Sequence, residues 1–266
     1  MLSLPIPDKN GSAKYSDLMF RGRLLSDIVS ELGSSGKFRS GSKWRFMDAK
    51  LSCHLDPDLR SELLCRSSGW TPIFGQTGTS ESHLRNHNIG QGDLFLFFGW
   101  FRHVTEKDGH LSFTGPASGF HAVYGYLRVG VTVTEAGQVL KWMSHHPHYD
   151  RIRVGSAGGD RLYVSDRDLR LLPNTNGAGT LTFAPELVLS KPDRQRTEWA
   201  LPEALRGVPL SYHSDRSWRC DCFRAASRGQ EFVFAQSPAV EQWATQILSS
   251  GLRDDDGPPP AVSAST

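Results

Sequence analysis

One stretch limits the fold more than any other: the apolar run from Leu94 to Trp100, ending in Gly99-Trp100-Phe101 and opened by a Gly90-Gln-Gly-Asp93 turn. A strand this apolar has both faces covered, so it belongs in a core. A second strand, Ala122 to Val129, follows a lone His121 further along the chain. Histidines, a glutamine and aromatics cluster at the ends of these two strands, where sites are usually built. Two buried strands joined by a polar loop would frame a pocket for a flat ligand such as a nucleobase.

The chain has 266 residues, 38% apolar and 22% charged. That suits a soluble globular domain, and no composition break divides positions 1–252. Positions 253–266, acidic and then rich in Pro, Ala and Ser, read as a disordered tail. No apolar run is long enough to span a membrane. The N-terminal residues lack a leader pattern, so a cytoplasmic location is expected. A formal charge of +2 argues against duplex DNA held mainly by phosphate neutralisation. The four cysteines, Cys53, Cys65, Cys220 and Cys222, contain no CxxC pair and read as free thiols.

The periodicity predicts an edge strand at Leu2–Pro7, a helix over Tyr15–Leu32 and a Gly/Ser-rich loop over Gly33–Gly41. Thr79 or Ser80 is placed to cap a short helix running to His87. Arg161–Val164, Leu181–Leu189 and Arg228–Phe234 read as strands. Ala239–Leu252 reads as a terminal helix with Val240, Trp243, Ile247 and Leu248 on one face. Short strands, Gly-rich turns and a few helices together imply an α+β fold, a single domain with a strongly bent central sheet or small barrel.

Several polar groups are candidates for chemistry. His54, Asp56 and Asp58 sit in one turn and offer an imidazole and two carboxylates for a divalent cation or for acid–base work; the alternative is a simple Asx turn. Cys53 lies beside His54, but neighbours on a strand point to opposite faces, which argues against a dyad. Gln76 can read a base edge through its amide, and His83 follows on the next helix. Trp100 could stack a base or belong to the core. His121, His146 and His148 with Asp56 would form a metal or acid–base set if the fold brings them together, and Pro147 rules out a helical HExxH site. Glu231 is either a site carboxylate or the partner of Arg228 in a surface ion pair.

The order helix, Gly-Asp turn, apolar strand, loop and Tyr-Gly-Tyr-Leu-Arg-Val resembles the PUA-like group of small β-barrels, which includes the EVE, ASCH and YTH modules. A longer match covers most of the chain: Leu2-Ser-Leu-Pro-Ile-Pro7, His54-Leu-Asp-Pro-Asp58, Phe74-Gly-Gln-x-Gly78, Gly92–Phe101, His121-x-Val-Tyr-Gly-Tyr-Leu-x-Val129, His146-Pro-His148, Leu210-Ser-Tyr-His213 and Arg228-Gly-Gln-Glu-Phe232. These resemble the third nucleotide-modification-associated domain family of bacteria and phages. Members of that family carry a further short segment ahead of the Leu-Ser-Leu-Pro-Ile-Pro stretch, so this chain starts inside the pattern. The resemblance implies a role linked to modification of DNA bases, with a nucleotide or DNA as partner. On this reading His54, Asp56, His121 and His148 are the catalytic candidates. Gln76, His83, Trp100 and Tyr126 are the ligand-binding candidates, and a divalent metal is the candidate cofactor. The rival readings are a metal-dependent nucleotide-processing enzyme and a non-catalytic reader of modified bases.

Overall fold

The computed structural model describes residues 1–9, 11–32, 37–40, 43–46, 51–114, 119–155, 159–226 and 231–252. Its main strands are β1 (Ile6–Pro7), β2 (Ala13–Lys14), β3 (Ser52–His54), β4 (Ile73–Gln76), β5 (Leu94–Phe101), β6 (Phe120–Val133), β7 (Arg161–Ser165) and β8 (Ala178–Thr180). The helices are α1 (Leu25–Leu32), α2 (Gly78–Asn86), α3 (Tyr149–Arg153) and α4 (Pro238–Gly251).

The long strand β6 organises the molecule. Its first half pairs antiparallel with β5, from Phe120 opposite Phe101 to Arg128 opposite Leu94. Its other edge takes β8 at Gly125–Leu127 and then β7 at Val129–Val133. Both partners meet at Arg128, whose N–H donates to the Gly177 carbonyl and whose carbonyl accepts from the Asp166 N–H. β4 completes the sheet on β7. One strand serving three neighbours, with register shifts after Val123 and Val129, bends strongly, because bulges add twist. The result is a curled half-barrel in a single α+β domain. Among the described residues no pairing joins β4 to β5, so the curl stays open.

Apolar groups cover both faces of the curl. On one face Phe74, Phe95, Phe97, Tyr163 and Leu127 pack together, with Leu84 of α2. On the other, Val123 and Tyr126 join Leu181, Leu187, Trp199, Phe223 and the Ile247–Leu248 ridge of α4. Helix α4 is capped by Ser237, whose hydroxyl accepts from the Val240 N–H, and Pro238 sits at its first turn. A smaller N-terminal core joins α1 to the β1–β3–β2 sheet through Tyr15, Leu25, Ile28, Cys53 and Leu55.

The expected apolar strand pair and the terminal helix are present. The expected helix over Tyr15–Leu32 is shorter: a 3-10 turn and a hairpin precede α1, and the hairpin turns at Arg21 and Gly22, both with positive φ. Part of the expected Gly33–Gly41 loop is a strand, Lys37–Ser40, paired with Lys43–Phe46; residues 33–36 and 41 lie outside the described residues. The Leu181–Leu189 strand is not formed. Pro185 starts a 3-10 turn there, and the alternating leucines reach the core from a loop. Helix α2 begins earlier than expected, with Thr77 rather than Thr79 or Ser80 at its N-cap. Of the expected Arg228–Phe234 strand, residues 228–230 fall outside the description, and Phe234 forms a bridge to Leu210. The tail beyond 252 is also outside it. No described helix is long and apolar enough to cross a membrane.

Two buried polar contacts pin the sheet to its surroundings. Asp58 accepts a bidentate pair from Arg66 at 2.7 and 2.6 Å, and its backbone pairs with Ile73 of β4. Glu81 of α2 accepts from the Tyr163 hydroxyl at 2.8 Å and faces Arg161. Burial raises the Glu81 carboxyl above its ordinary value despite Tyr163 and Arg161. Arg66→Leu strands the Asp58 carboxylate in the interior and should cost about 3–5 kcal/mol in urea unfolding. A group raised in the folded state contributes stability below its unfolded pKa, here 4.5, and loses it as pH rises through the folded value. Wild type should therefore lose stability relative to Glu81→Gln as pH rises above the ordinary glutamate value of 4.5; a difference that does not change with pH would contradict this.

Candidate functional site

Three segments meet at Asp56, and a fourth stands behind one of them. Strand β3 turns Cys53 into the N-terminal core, so His54 projects from the other face. The chain then passes Leu55 and reaches Asp56, whose position is set two residues later by the Asp58–Ile73 pairing. That antiparallel bridge brings Asp56 alongside Gly75, whose N–H donates to Asp56 Oδ1 at 3.0 Å. The third segment is the His146-Pro147-His148 run, held between a 3-10 turn and α3. Met143 and Ile152 on either side of it pack with Ile73 and Leu162. The fourth is Asp160, immediately before β7.

The geometry is compact. His54 Nε2 and His148 Nε2 lie 3.5 and 3.4 Å from Asp56 Oδ2, and His146 Nε2 lies 3.4 Å from Oδ1. These separations are long for charge-assisted hydrogen bonds. They match the edges of a metal coordination polyhedron: bonds of about 2.0–2.2 Å place neighbouring ligand atoms about 3.0–3.5 Å apart. The ligand atoms of His54, Asp56 and His148 all lie within 4.8 Å of one another. His148 Nδ1 meets Asp160 Oδ1 at 3.0 Å, and Arg151 Nε lies 3.1 Å from the same oxygen. A carboxylate behind an imidazole in this way fixes the ring and leaves Nε2 to act.

His146 plays a different part. Its Nδ1 accepts the His148 backbone N–H at 3.3 Å, so its ring proton sits on Nε2. That buried Nε2 makes no well-aligned hydrogen bond, although it faces Asp56 Oδ1. Burial opposes charge on Asp56, but the surrounding imidazoles of His146, His148 and His54 hold its carboxyl well below the usual carboxylate range. Burial likewise opposes charge on His148, and Asp56 and Asp160 outweigh it, so the His148 pKa is raised.

Gly75 makes the cluster possible. A Cβ there would lie 2.5 Å from His148 Cδ2 and 2.6 Å from His146 Cε1. A small cleft of about 40 Å³ adjoins Asp56, lined in part by Ser3, Arg60 and Tyr124.

The structure thus brings His54, Asp56, His146 and His148 together. It separates Asp58, which Arg66 and Trp70 occupy. It also separates His121, whose partners are the Arg196 carbonyl, Ser190, Trp199 and Trp100. Trp100, opposite His121 across the sheet, is 40% exposed and stands at the surface. Tyr126 is a correction. It is 2% exposed, packs in the α4-side core and donates to the Asn176 carbonyl, because the register shift after Val123 turns it away from Tyr124. Gln76 and His83 form a third group. Gln76 Nε2 donates to Glu231 at 2.6 Å, and His83 Nε2 meets Ser211 Oγ at 3.0 Å. Cys53 is fully buried, and burial pushes its thiol up to about 12, which removes it as a nucleophile.

Asp160 and Gly75 escaped the sequence reading. Asp160 is a single acid with no motif around it, and the role of Gly75 exists only through approach from a distant segment. Gly75→Ala should fold but lose about 1–3 kcal/mol, as overpacking does. It should also move the ring signals of His146 and His148 in NMR spectra; unchanged stability and unchanged rings would contradict the packing described.

No curated protein matches this chain, and no solved structure does. The family model for nucleotide modification associated domain 3 (Nmad3) matches residues 1–235. The match spans the histidine–aspartate cluster, strands β5 and β6 and the Tyr212 region. The chain belongs to the nucleotide modification associated domain 3 family, and its role is one associated with nucleotide modification.

Proposed function

We propose that this chain is a metal-dependent enzyme acting on a nucleotide or on a base within DNA, with one divalent ion held by His54 Nε2, Asp56 Oδ2 and His148 Nε2. The observation that carries this reading is the spacing of those three atoms, together with Asp160 behind His148. Two imidazoles and one carboxylate on one side of an ion leave positions open for water and substrate. Bound there, such an ion would acidify a water molecule or polarise a substrate oxygen.

The protein's own groups have separable tasks. Gly75 N–H and His146 Nε2–H face Asp56 Oδ1, so Oδ2 alone remains for the ion and Asp56 would bind through one oxygen. Asp160 fixes the His148 tautomer with the proton on Nδ1. Arg151 links Asp160 to Thr77 Oγ1 at the start of α2, tying the cluster to the polar group around Gln76.

A second reading keeps one observation for itself. Trp100 is half-exposed, with His121 at its edge 4.8 Å away and Arg196 over its ring. Such aromatic surfaces stack bases, which favours a reader of modified DNA that performs no chemistry.

Metal analysis of freshly purified protein separates these readings. About one zinc, iron or manganese per chain is expected. His148→Ala should abolish it. His145→Ala, in the same histidine run, should keep it. His146→Ala should weaken metal affinity about 10–100-fold, as loss of outer-shell partners does. Protein free of metal under every loading condition, yet binding modified DNA, would favour the reader.

A further inference from the structure

Among the described residues, Tyr212 is the one aromatic held at a positive φ. Tyr212 has φ +61, a region bulky residues rarely adopt. It is also 58% exposed, so burial does not offset the strain. Its conformation is imposed from both sides: the backbone around Ser211 is paired with Val233, and His213 N–H donates to the Leu210 carbonyl. Under the ring lies a rigid support. The Val233 N–H donates to Ser211 Oγ at 2.8 Å, and that hydroxyl lies 3.0 Å from His83 Nε2. A hydroxyl that accepts from Val233 has its own proton free for the imidazole, and this fixes the His83 plane. The Tyr212 ring stacks on that plane, with centroids 4.1 Å apart and 25° between planes. Burial keeps the His83 pKa low, with neighbouring His87 acting the same way, so the support is a neutral ring.

We infer that Tyr212 is a stacking platform for a nucleobase, with its supported face on His83 and its outer face open to the base, and that Glu231 reads the base edge. Backbone strain of this kind clusters at ligand contacts, and an exposed aromatic supported on one face offers its other face to a base. Glu231 lies two residues before Val233, whose backbone pairs with Ser211 beside the platform. Gln76 Nε2 holds one Glu231 oxygen, while Gln76 Oε1 is occupied by the Thr77 N–H. A carboxylate orients toward a base edge with two adjacent N–H donors, and among the four common bases that edge belongs to guanine. The inference rests on the nucleotide reading and names its base-binding side, but it does not depend on the metal.

The test is calorimetric titration of the full chain, stripped of metal by chelator, with GMP, AMP, CMP and UMP, and with metal content measured separately on untreated protein. GMP should bind tightest. Tyr212→Gly should weaken GMP binding about fivefold or more, while the thermal midpoint stays or rises, because glycine accepts a positive φ without strain. Tyr212→Phe should retain binding, and Glu231→Gln should remove the preference for GMP. The proposal is overturned if none of the four nucleotides binds, or if Tyr212→Gly lowers the midpoint and leaves GMP affinity as it was. Loss of the metal reading alone would show as metal-free protein that still binds GMP through Tyr212.

Discussion

A buried carboxylate has to be surrounded by donors, and the way Asp56 finds them ties this molecule together. Its oxygens face a backbone N–H from β4 and imidazoles from β3 and from the turn before α3. Those segments come from three different parts of the chain. No packing of the apolar residues alone would require them to meet. The close approach needs a glycine at position 75, a core residue, Ile73, that also anchors Met143 and Ile152, and the Asp58–Ile73 bridge that sets the loop. Fold and site are coupled through that one edge strand.

Edge position explains why the site sits there. Among the described residues β4 has one sheet neighbour, β7, and its other edge receives the Asp56 loop. The unpaired N–H of Gly75 then becomes a site donor rather than a liability. Residues of β4 alternate in role. Phe74 packs with Phe95, Phe97 and Tyr163, and Gln76 bonds to Glu231. Gly75 between them faces the histidines. One strand thus supplies a core residue, a contact to the histidine–aspartate cluster and the polar partner of Glu231. Arg151, bonded to Thr77 and paired with Asp160, joins the two polar regions from outside the sheet.

Local pattern was enough to read the elements whose cause is local. The β5–β6 pair follows from its apolar runs, and α4 from the spacing of Val240, Trp243, Ile247 and Leu248. Leu187 and Leu189 alternate as strand residues do, but Pro185 diverts the backbone into a 3-10 turn and the core accepts the leucines from there. Tyr126 reads as a pocket residue until the register shift in β6 sends it to the opposite face. His54, Asp56 and His148 were legible as chemical types, yet their convergence depends on Ile73 and Gly75, which carry no polar signal. His121 matched the same types and was left elsewhere by the topology, in contact with Trp199 and Trp100.

The most direct measurement of the central claim is anomalous diffraction from crystals of the chain grown with zinc or manganese. The account predicts an anomalous peak about 2.0–2.2 Å from His54 Nε2, His148 Nε2 and Asp56 Oδ2, with His146 outside the coordination shell and Asp160 still bonded to His148. Absence of a peak, with the histidines closing directly onto Asp56 at ordinary hydrogen-bond distance, would contradict it.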